Sequence, residues 1–288
     1  MNLEEFVRSQ DVILMRQRLP VTSRPIKVAK AWVDKNPLIE GLTLELVRDV
    51  FAVYKDLYSS QDISRIKFFE GGVAILGNVY SVGIDLSYGQ NHIDPLSFID
   101  ISEEEKSRLW SIDKREVWKA IYSVSDLWDF SYGVDDILSK GVIDSATLVS
   151  SRSFLAQLWK TLSMHSDFDA SIESLCLATE IAIKSMLINE GYSPKEVTRF
   201  RHDVGKLCEA MNLARPGKND ELVQLAGADF PNMVGARYDG HNLSRGNMLD
   251  FAMRANFLCG EAARRMSERD FSGTIEADTQ SPSRKDVF

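Results

Sequence analysis

Two side chains that could act on a phosphodiester stand close together in the segment Arg237-Tyr-Asp-Gly-His241. A histidine can exchange a proton with a ribose 2′-hydroxyl or a leaving oxygen, and an arginine can stabilise charge building on the phosphate. Arg237 and His241 are therefore candidate catalytic residues of a metal-independent endoribonuclease. The alternative is structural, because Gly240 indicates a turn. Arg237 and Tyr238 would then fix the following helix, and His241 would be an exposed loop residue.

A second group of cationic side chains, Arg199, Arg201 and His202, precedes Asp203. Together with Tyr238, these residues are candidates for contacting an RNA phosphate or a nucleotide. The alternative is again structural. Asp203 can cap a helix, and the His202 ring can hydrogen-bond within a helical bundle.

Other chemistries lack the residue patterns that they require. The three cysteines are far apart and show no CxxC spacing, which argues against a disulfide framework or a zinc site. We expect each to be a buried thiol on a helix. His92 and His165 have no helical partner at metal-ligand spacing. The sequence therefore predicts neither a metal nor a cofactor. The cysteines are Cys176, Cys208 and Cys259.

The glycine-rich segment near residue 75 also fails two tests for nucleotide chemistry. Val82-Gly-Ile-Asp85 offers one carboxylate where a nucleotidyltransferase would hold two metal ions with an Asp-x-Asp pair. Gly71-Gly72 lacks the lysine and the following helix of a phosphate-binding loop. A hairpin turn explains these glycines better.

The length, composition and net charge limit the number of domains and the kinds of partner that the chain can have. The chain has 288 residues, 44% of them hydrophobic, which is enough for one large domain or two ordinary ones. The formal net charge of −8 argues against a general phosphate binder. We see no run of about 18 apolar residues and expect a cytoplasmic protein with no membrane association.

The first part of the chain predicts an α+β domain over residues 1–141. Two amphipathic helices are expected, and between residues 66 and 86 β-branched and aromatic residues predict a small antiparallel sheet. Gly71-Gly72 and Gly77-Asn78 would be its turns. The expected helices are 2–19 and 44–57, and the expected strands are 66–69, 73–76 and 79–86. A helix that begins at Ser102 and two further helices, 116–128 and 133–141, would follow.

The second part predicts an all-α bundle over residues 142–270. Gly191 would end the central helix in the position where glycine is favoured, and Ser193 with Glu196 would form a capping box for the next. After Phe271 the sequence is polar and loses its period, so we expect residues 271–288 to be a disordered tail. The expected helices are 144–165, 169–190, 194–201, 203–212, 220–225 and 243–267.

The central part of this bundle resembles the HEPN family, whose domains have four or five helices. The resemblance covers about residues 148–266, under half of the chain. A helix ending in glycine is followed by a short segment that closes on His-Asp and a spaced leucine, and an Arg-Tyr pair precedes the last helix. The residues that match are Glu180-Ile-Ala-Ile-Lys184, Leu187, Gly191, Arg199-Phe-Arg-His202-Asp203, Leu207 and Arg237-Tyr238.

This resemblance implies an RNA-, nucleotide- or protein-binding module that forms a homodimer through its bundle. The family is also associated with bacterial defence, stress response and toxin–antitoxin systems. Its catalytic members, which are toxin-like endoribonucleases, imply the alternative function. They carry an arginine followed by a histidine after four to six residues, and the pair faces its copy across a dimer. In this chain three residues separate Arg237 from His241.

Overall fold

The computed structural model describes residues 2–17, 19, 21, 24–36, 41–59, 67–85, 93–140, 145–164, 168–231 and 243–288. Within these ranges the protein is mostly helical, with thirteen α-helices and one two-stranded antiparallel sheet. The chain divides into two compact units. One comprises residues 1–68 and 85–92, and the other comprises residues 69–84 and 93–288. No helix in the described ranges has the length and apolar content needed to cross a membrane.

The strands are β1 (Lys67–Ile75) and β2 (Asn78–Asp85), and a 3₁₀-helix spans Pro95–Phe98. The α-helices are α1 (Leu3–Arg16), α2 (Arg24–Lys35), α3 (Leu44–Leu57), α4 (Glu103–Ile112), α5 (Lys114–Lys140), α6 (Ser145–Ser163), α7 (Phe168–Asn189), α8 (Pro194–Thr198), α9 (Val204–Ala214), α10 (Asp220–Gly227), α11 (Arg245–Met266), α12 (Phe271–Ala277) and α13 (Arg284–Val287).

The first unit is a small bundle of α1, α2 and α3. Asn2 begins α1 with a capping box to Glu5. The three helices bury a shared apolar core. Helix α2 was not predicted from the sequence, although Pro25 stands in its first turn, where proline is well tolerated. The core residues are Phe6, Val7, Val28, Ala29, Leu46, Val50 and Tyr54.

The sheet is a single hairpin rather than the predicted meander. Gly71 and Gly72 lie inside β1, and the chain turns at Leu76 and Gly77. Both turn residues have positive φ, 50° and 78°, as a two-residue hairpin turn of type I′ requires. Gly72 is needed for a close approach, because a Cβ atom there would stand 2.7 Å from the Trp159 ring. The glycine pair therefore admits a neighbouring side chain instead of reversing the strand.

Helix α5 is continuous where the sequence predicted two helices separated before Gly133. Gly133 lies inside this helix, two turns before its end, and a Cβ there would be 3.0 Å from the Cβ of Ala263 on α11. Gly260 on α11 is equally tight, 2.9 Å from the carbonyl oxygen of Asp126. The two glycines allow α5 and α11 to approach closely. The compact units accordingly do not divide near Gly141, because α4 and α5 belong with the bundle.

Helix α11 lies at the centre of the second unit, where it packs against both α5 and α7, and α7 packs against α6 and α9. Asn256 on α11 is fully buried and bonds to three elements. It accepts from Trp159 Nε1 at 2.9 Å, and its Nδ2 donates to the Gly72 carbonyl at 3.0 Å and to Ser123 Oγ at 2.8 Å. One polar side chain thus joins the hairpin, α5 and α6 to the central helix.

Residues 271–288 are not the disordered tail that their composition suggested. They form α12 and α13, which pack against α5. Arg284 is buried and donates from Nη1 and Nη2 to the Asp126 carboxylate at 3.1 and 2.9 Å. Its guanidinium also lies over the rings of Tyr122 and Phe257. A buried ion pair and ring contacts therefore order a segment that has no long apolar run.

Candidate functional site

The candidate site lies where the chain leaves α7 and enters α9. Gly191, with φ of +95°, ends α7 as predicted. Its N–H bonds to the Ile188 carbonyl, and the next N–H, of Tyr192, bonds to the Leu187 carbonyl, which is the Schellman pattern. The predicted capping box of Ser193 and Glu196 then begins α8. These two devices turn the chain back toward α7.

A carboxylate on α7 holds the segment after α8 in place. Glu180 is buried, and its Oε2 lies 2.8 Å from Nδ1 of the half-exposed His202. Its other oxygen, Oε1, accepts from Lys184 one turn along the helix. Lys184 also donates to the carbonyl oxygen of Arg201 at 2.7 Å. Glu180 and Lys184 therefore fix both the side chain of His202 and the backbone of the residue before it.

Arg201 adopts a backbone conformation that is uncommon for a residue with a side chain. Its φ is +52°, in the left-handed region, where the Cβ atom crowds the following carbonyl. Such a conformation costs on the order of 1–2 kcal/mol and persists where surrounding contacts hold it. Here the bond from Lys184 to the Arg201 carbonyl is such a contact. Left-handed non-glycine residues of this kind concentrate at functional sites.

The cations at this turn differ in their partners. Lys206 pairs with Asp203 at 2.7 Å. Hydrogen bonding to the Lys206 side chain and backbone lowers the pKa of Asp203, which also caps α9. Arg199 and Arg201 are both exposed, and neither guanidinium forms an ion pair within the part of the chain that the structure describes. Two positive charges are thus available to an anion beside the half-exposed His202.

The other predicted site residues cannot be placed against this turn. Arg237, Tyr238 and His241 lie outside the described residues, as do His92 and His165. Both structural alternatives for the second group hold, since Asp203 is a helix cap and His202 bonds within the bundle. These roles leave the exposed Arg199 and Arg201 unexplained.

A buried ionic network between α5 and α11 was not foreseen from the sequence. The Arg264 side chain is only 6% exposed, and it donates from Nη1 to Asp126 and to Asp129, at 2.9 Å in each case. Its Nε donates to Glu261 at 3.0 Å. Asp129 also accepts the backbone N–H groups of Phe271 and Ser272. The one signal in the sequence is the presence of charged residues on the inward faces of two apolar helices.

Glu261 receives a second arginine, Arg265, beside Arg264. Arg265 bonds to its Oε1 and, through Nη1, to the carbonyls of Met211 and Arg215. Burial would raise the pKa of Glu261, but Arg264 and Arg265 outweigh it and lower the pKa to about 2. The charges are matched and bonded within the core, so the network ties helices together and offers no open group for chemistry.

The described ranges contain no group of three His, Cys, Asp or Glu side chains placed to hold a metal ion. Cys176, Cys208 and Cys259 are buried on helices, as predicted. Burial raises the pKa of the Cys208 and Cys259 thiols to about 12, which suppresses the reactive thiolate at neutral pH.

The residues at the α7–α9 turn define the site as a small cationic surface on a helical bundle. No protein-family model matches the chain, and no curated protein or solved structure matches it. The resemblance to HEPN domains therefore rests on the residues quoted for it alone.

Proposed function

We propose that the protein is an RNA-binding module of HEPN-like architecture in which Arg199, Arg201 and His202 contact the phosphate backbone. The observation that carries the proposal is the left-handed Arg201, held by Lys184 from α7. The fold maintains this strained backbone immediately beside the half-exposed His202. A strained backbone that surrounding contacts hold in place beside a histidine motivates a functional role for this turn.

The charge distribution favours a local and salt-sensitive contact. The chain as a whole carries −8, so RNA would be repelled by most of the surface and attracted only where cations are unpaired. Arg199 and Arg201 supply two such charges within three residues. For single-stranded nucleic acid, the logarithm of affinity falls with the logarithm of salt by about 0.7 per phosphate neutralised. Two contacts should therefore contribute about 1.4 to that slope.

The binding test is fluorescence anisotropy with a labelled single-stranded RNA of mixed sequence, titrated at several salt concentrations. The double variant Arg199→Ala/Arg201→Ala should bind about tenfold or more weakly and lose about 1.4 of the salt slope. The control is Arg8→Ala/Arg108→Ala, which removes the same charge at two exposed arginines that already face glutamates, Arg8 with Glu4 and Arg108 with Glu105. The absence of RNA binding, or equal losses in both double variants, would contradict the proposal.

The endoribonuclease reading stays a prediction, because Arg237 and His241 lie outside the described residues. Incubating the same RNA with the protein in EDTA tests it directly. Cleavage that leaves cyclic phosphate ends, and that is lost in Arg237→Ala and His241→Ala, would add catalysis to binding.

The homodimer through the bundle is likewise a proposal. The apolar length of the last long helix would favour such a dimer. Helix α11, however, buries that face against its own α5 and α7. Sedimentation at micromolar concentration decides between a dimer and a monomer.

A further inference from the structure

A cavity of about 400 Å³ lies in the second unit, away from the α7–α9 turn. It is lined by the hairpin at Ala74, by helices α5 and α11, and by α13. The size is within the range of sites for small organic molecules, roughly 300–1,000 Å³. Its apolar lining includes Leu249, Met253 and Phe257 on α11 and Val287 on α13.

The charged residues of the cavity are matched in pairs. Lys119 lies 2.8 Å from Glu116, Arg254 lies 2.7 Å from Asp250, and Arg284 holds the Asp126 carboxylate. A charged ligand would have to separate one of these pairs or enter without a counter-charge, and either costs free energy in a partly desolvated site. The pairing therefore selects against anions and cations.

One backbone donor in the cavity has a poor partner. The N–H of Ala74 on β1 points to the thioether sulfur of Met253, at 3.3 Å. Sulfur is a weak acceptor, and the methionine side chain is flexible. A carbonyl or hydroxyl oxygen would bond to this N–H more strongly, and Met253 could move aside to admit it. The mouth also carries Leu225, 54% exposed, whose apolar surface a ligand could cover.

We propose that this cavity is a binding site for an uncharged small molecule with an apolar body and one carbonyl or hydroxyl oxygen. The body lies against Leu249, Met253 and Phe257, and the oxygen accepts from the Ala74 N–H. This site is independent of the proposed RNA surface, so either can fail without the other.

The probe is Prodan, an uncharged naphthalene with one ketone whose emission shifts to the blue in an apolar site. Titration into the full chain should give a blue shift that saturates at one equivalent. The same naphthalene without its ketone should bind several-fold more weakly. Anilinonaphthalene sulfonate, an anion of similar size, should not displace Prodan. No saturable shift, or displacement by the sulfonate, would overturn the proposal.

Substitutions of residues that line the cavity test whether Prodan binds there. Met253→Trp, at a half-buried position, fills the cavity and should weaken Prodan binding about tenfold or more. Met253→Leu removes the sulfur, keeps a similar apolar volume and should leave binding equal or tighter. The matched control is Met164→Trp, a methionine 59% exposed at the end of α6. Leu225→Arg changes only the exposed mouth and should weaken binding even if Met253→Trp folds poorly. Unchanged Prodan binding in both Met253→Trp and Leu225→Arg would show that the probe binds elsewhere and would contradict the proposed site.

Discussion

The indole N–H of Trp159 donates to the side-chain oxygen of Asn256 at 2.9 Å, across 97 positions of sequence. Both residues are buried, and the side-chain N–H groups of Asn256 donate to the hairpin and to α5. A single buried amide thus holds the hairpin, α5 and α6 against α11.

Replacing Asn256 by alanine should strongly destabilise the second unit. The change leaves the Trp159 N–H, the Gly72 carbonyl and the Ser123 hydroxyl without this partner. Each buried unsatisfied group costs about 1–3 kcal/mol, so we expect a loss of at least about 3 kcal/mol in denaturant unfolding. The control is Asn247→Ala, at an exposed position in the same helix, which should change stability by under about 1 kcal/mol.

Gly72→Ala tests the close approach of the hairpin to Trp159. The added methyl would stand 2.7–2.9 Å from three atoms of the buried ring, so either the strand or the ring must shift. Overpacking of this kind costs about 1–3 kcal/mol. Gly246→Ala is the matched control, because a Cβ there meets only Ser244 Oγ at 3.9 Å and alanine is favoured within a helix. Equal melting temperatures for the two variants would contradict the packing argument.

The low pKa of Glu261 predicts an acid-sensitive core. Its pKa is about 2 in the folded chain, against an ordinary 4.5. A depressed carboxyl pKa contributes stability that is complete above 4.5 and is lost as pH falls from 4.5 toward 2. The difference corresponds to about 3 kcal/mol as an order of magnitude.

Urea unfolding between pH 7 and pH 2.5 measures this effect. The wild-type free energy of unfolding should fall through that window, and Glu261→Gln should be less stable at pH 7 with a flatter profile. A wild-type profile that stays level down to pH 2.5 would refute the assignment.

Replacing Arg201 by glycine should raise the stability of the fold while it weakens RNA binding. Glycine accepts a φ of +52° without Cβ strain, which removes about 1–2 kcal/mol, while its greater freedom when unfolded costs about 0.5–1 kcal/mol. We therefore expect a net gain of roughly 0.5–1 kcal/mol together with weaker RNA binding. Arg199→Gly provides the comparison, because φ is −66° there and glycine should destabilise. Loss of stability in Arg201→Gly would show that the arginine side chain holds the turn.

Local signals in the sequence predicted much of the second unit. Helices α6, α7, α9 and α11 were placed within a few residues, because their apolar spacing is regular. Caps such as the Ser193 box and Asp203 act within three or four residues and were read directly. Interactions of this range need no knowledge of the rest of the fold.

The errors came from residues whose roles depend on distant partners. Gly72 was interpreted as a turn residue and Gly133 as the start of a separate helix, but both instead allow close contacts, with Trp159 and with Ala263. The order of residues 271–288 depends on Asp126, which lies 158 positions before Arg284. At the site, the four-residue spacing of Glu180 and Lys184 on a helix is enough to predict their ion pair, whereas the contact of Glu180 with His202 depends on how α7 and α9 meet. No spacing rule in a single sequence reports such pairings.

The three cysteine thiols are buried, so the rate at which each reacts reports how often the helix that carries it opens. Cys176, Cys208 and Cys259 sit on three different helices, α7, α9 and α11, and none can meet a thiol reagent while those helices stay packed. Labelling in the absence of denaturant, resolved by peptide mass, would therefore time the opening of each helix separately. Equal rates would mean that the bundle opens as one body, and a faster rate at Cys208 would show that the helix behind the cationic turn detaches first.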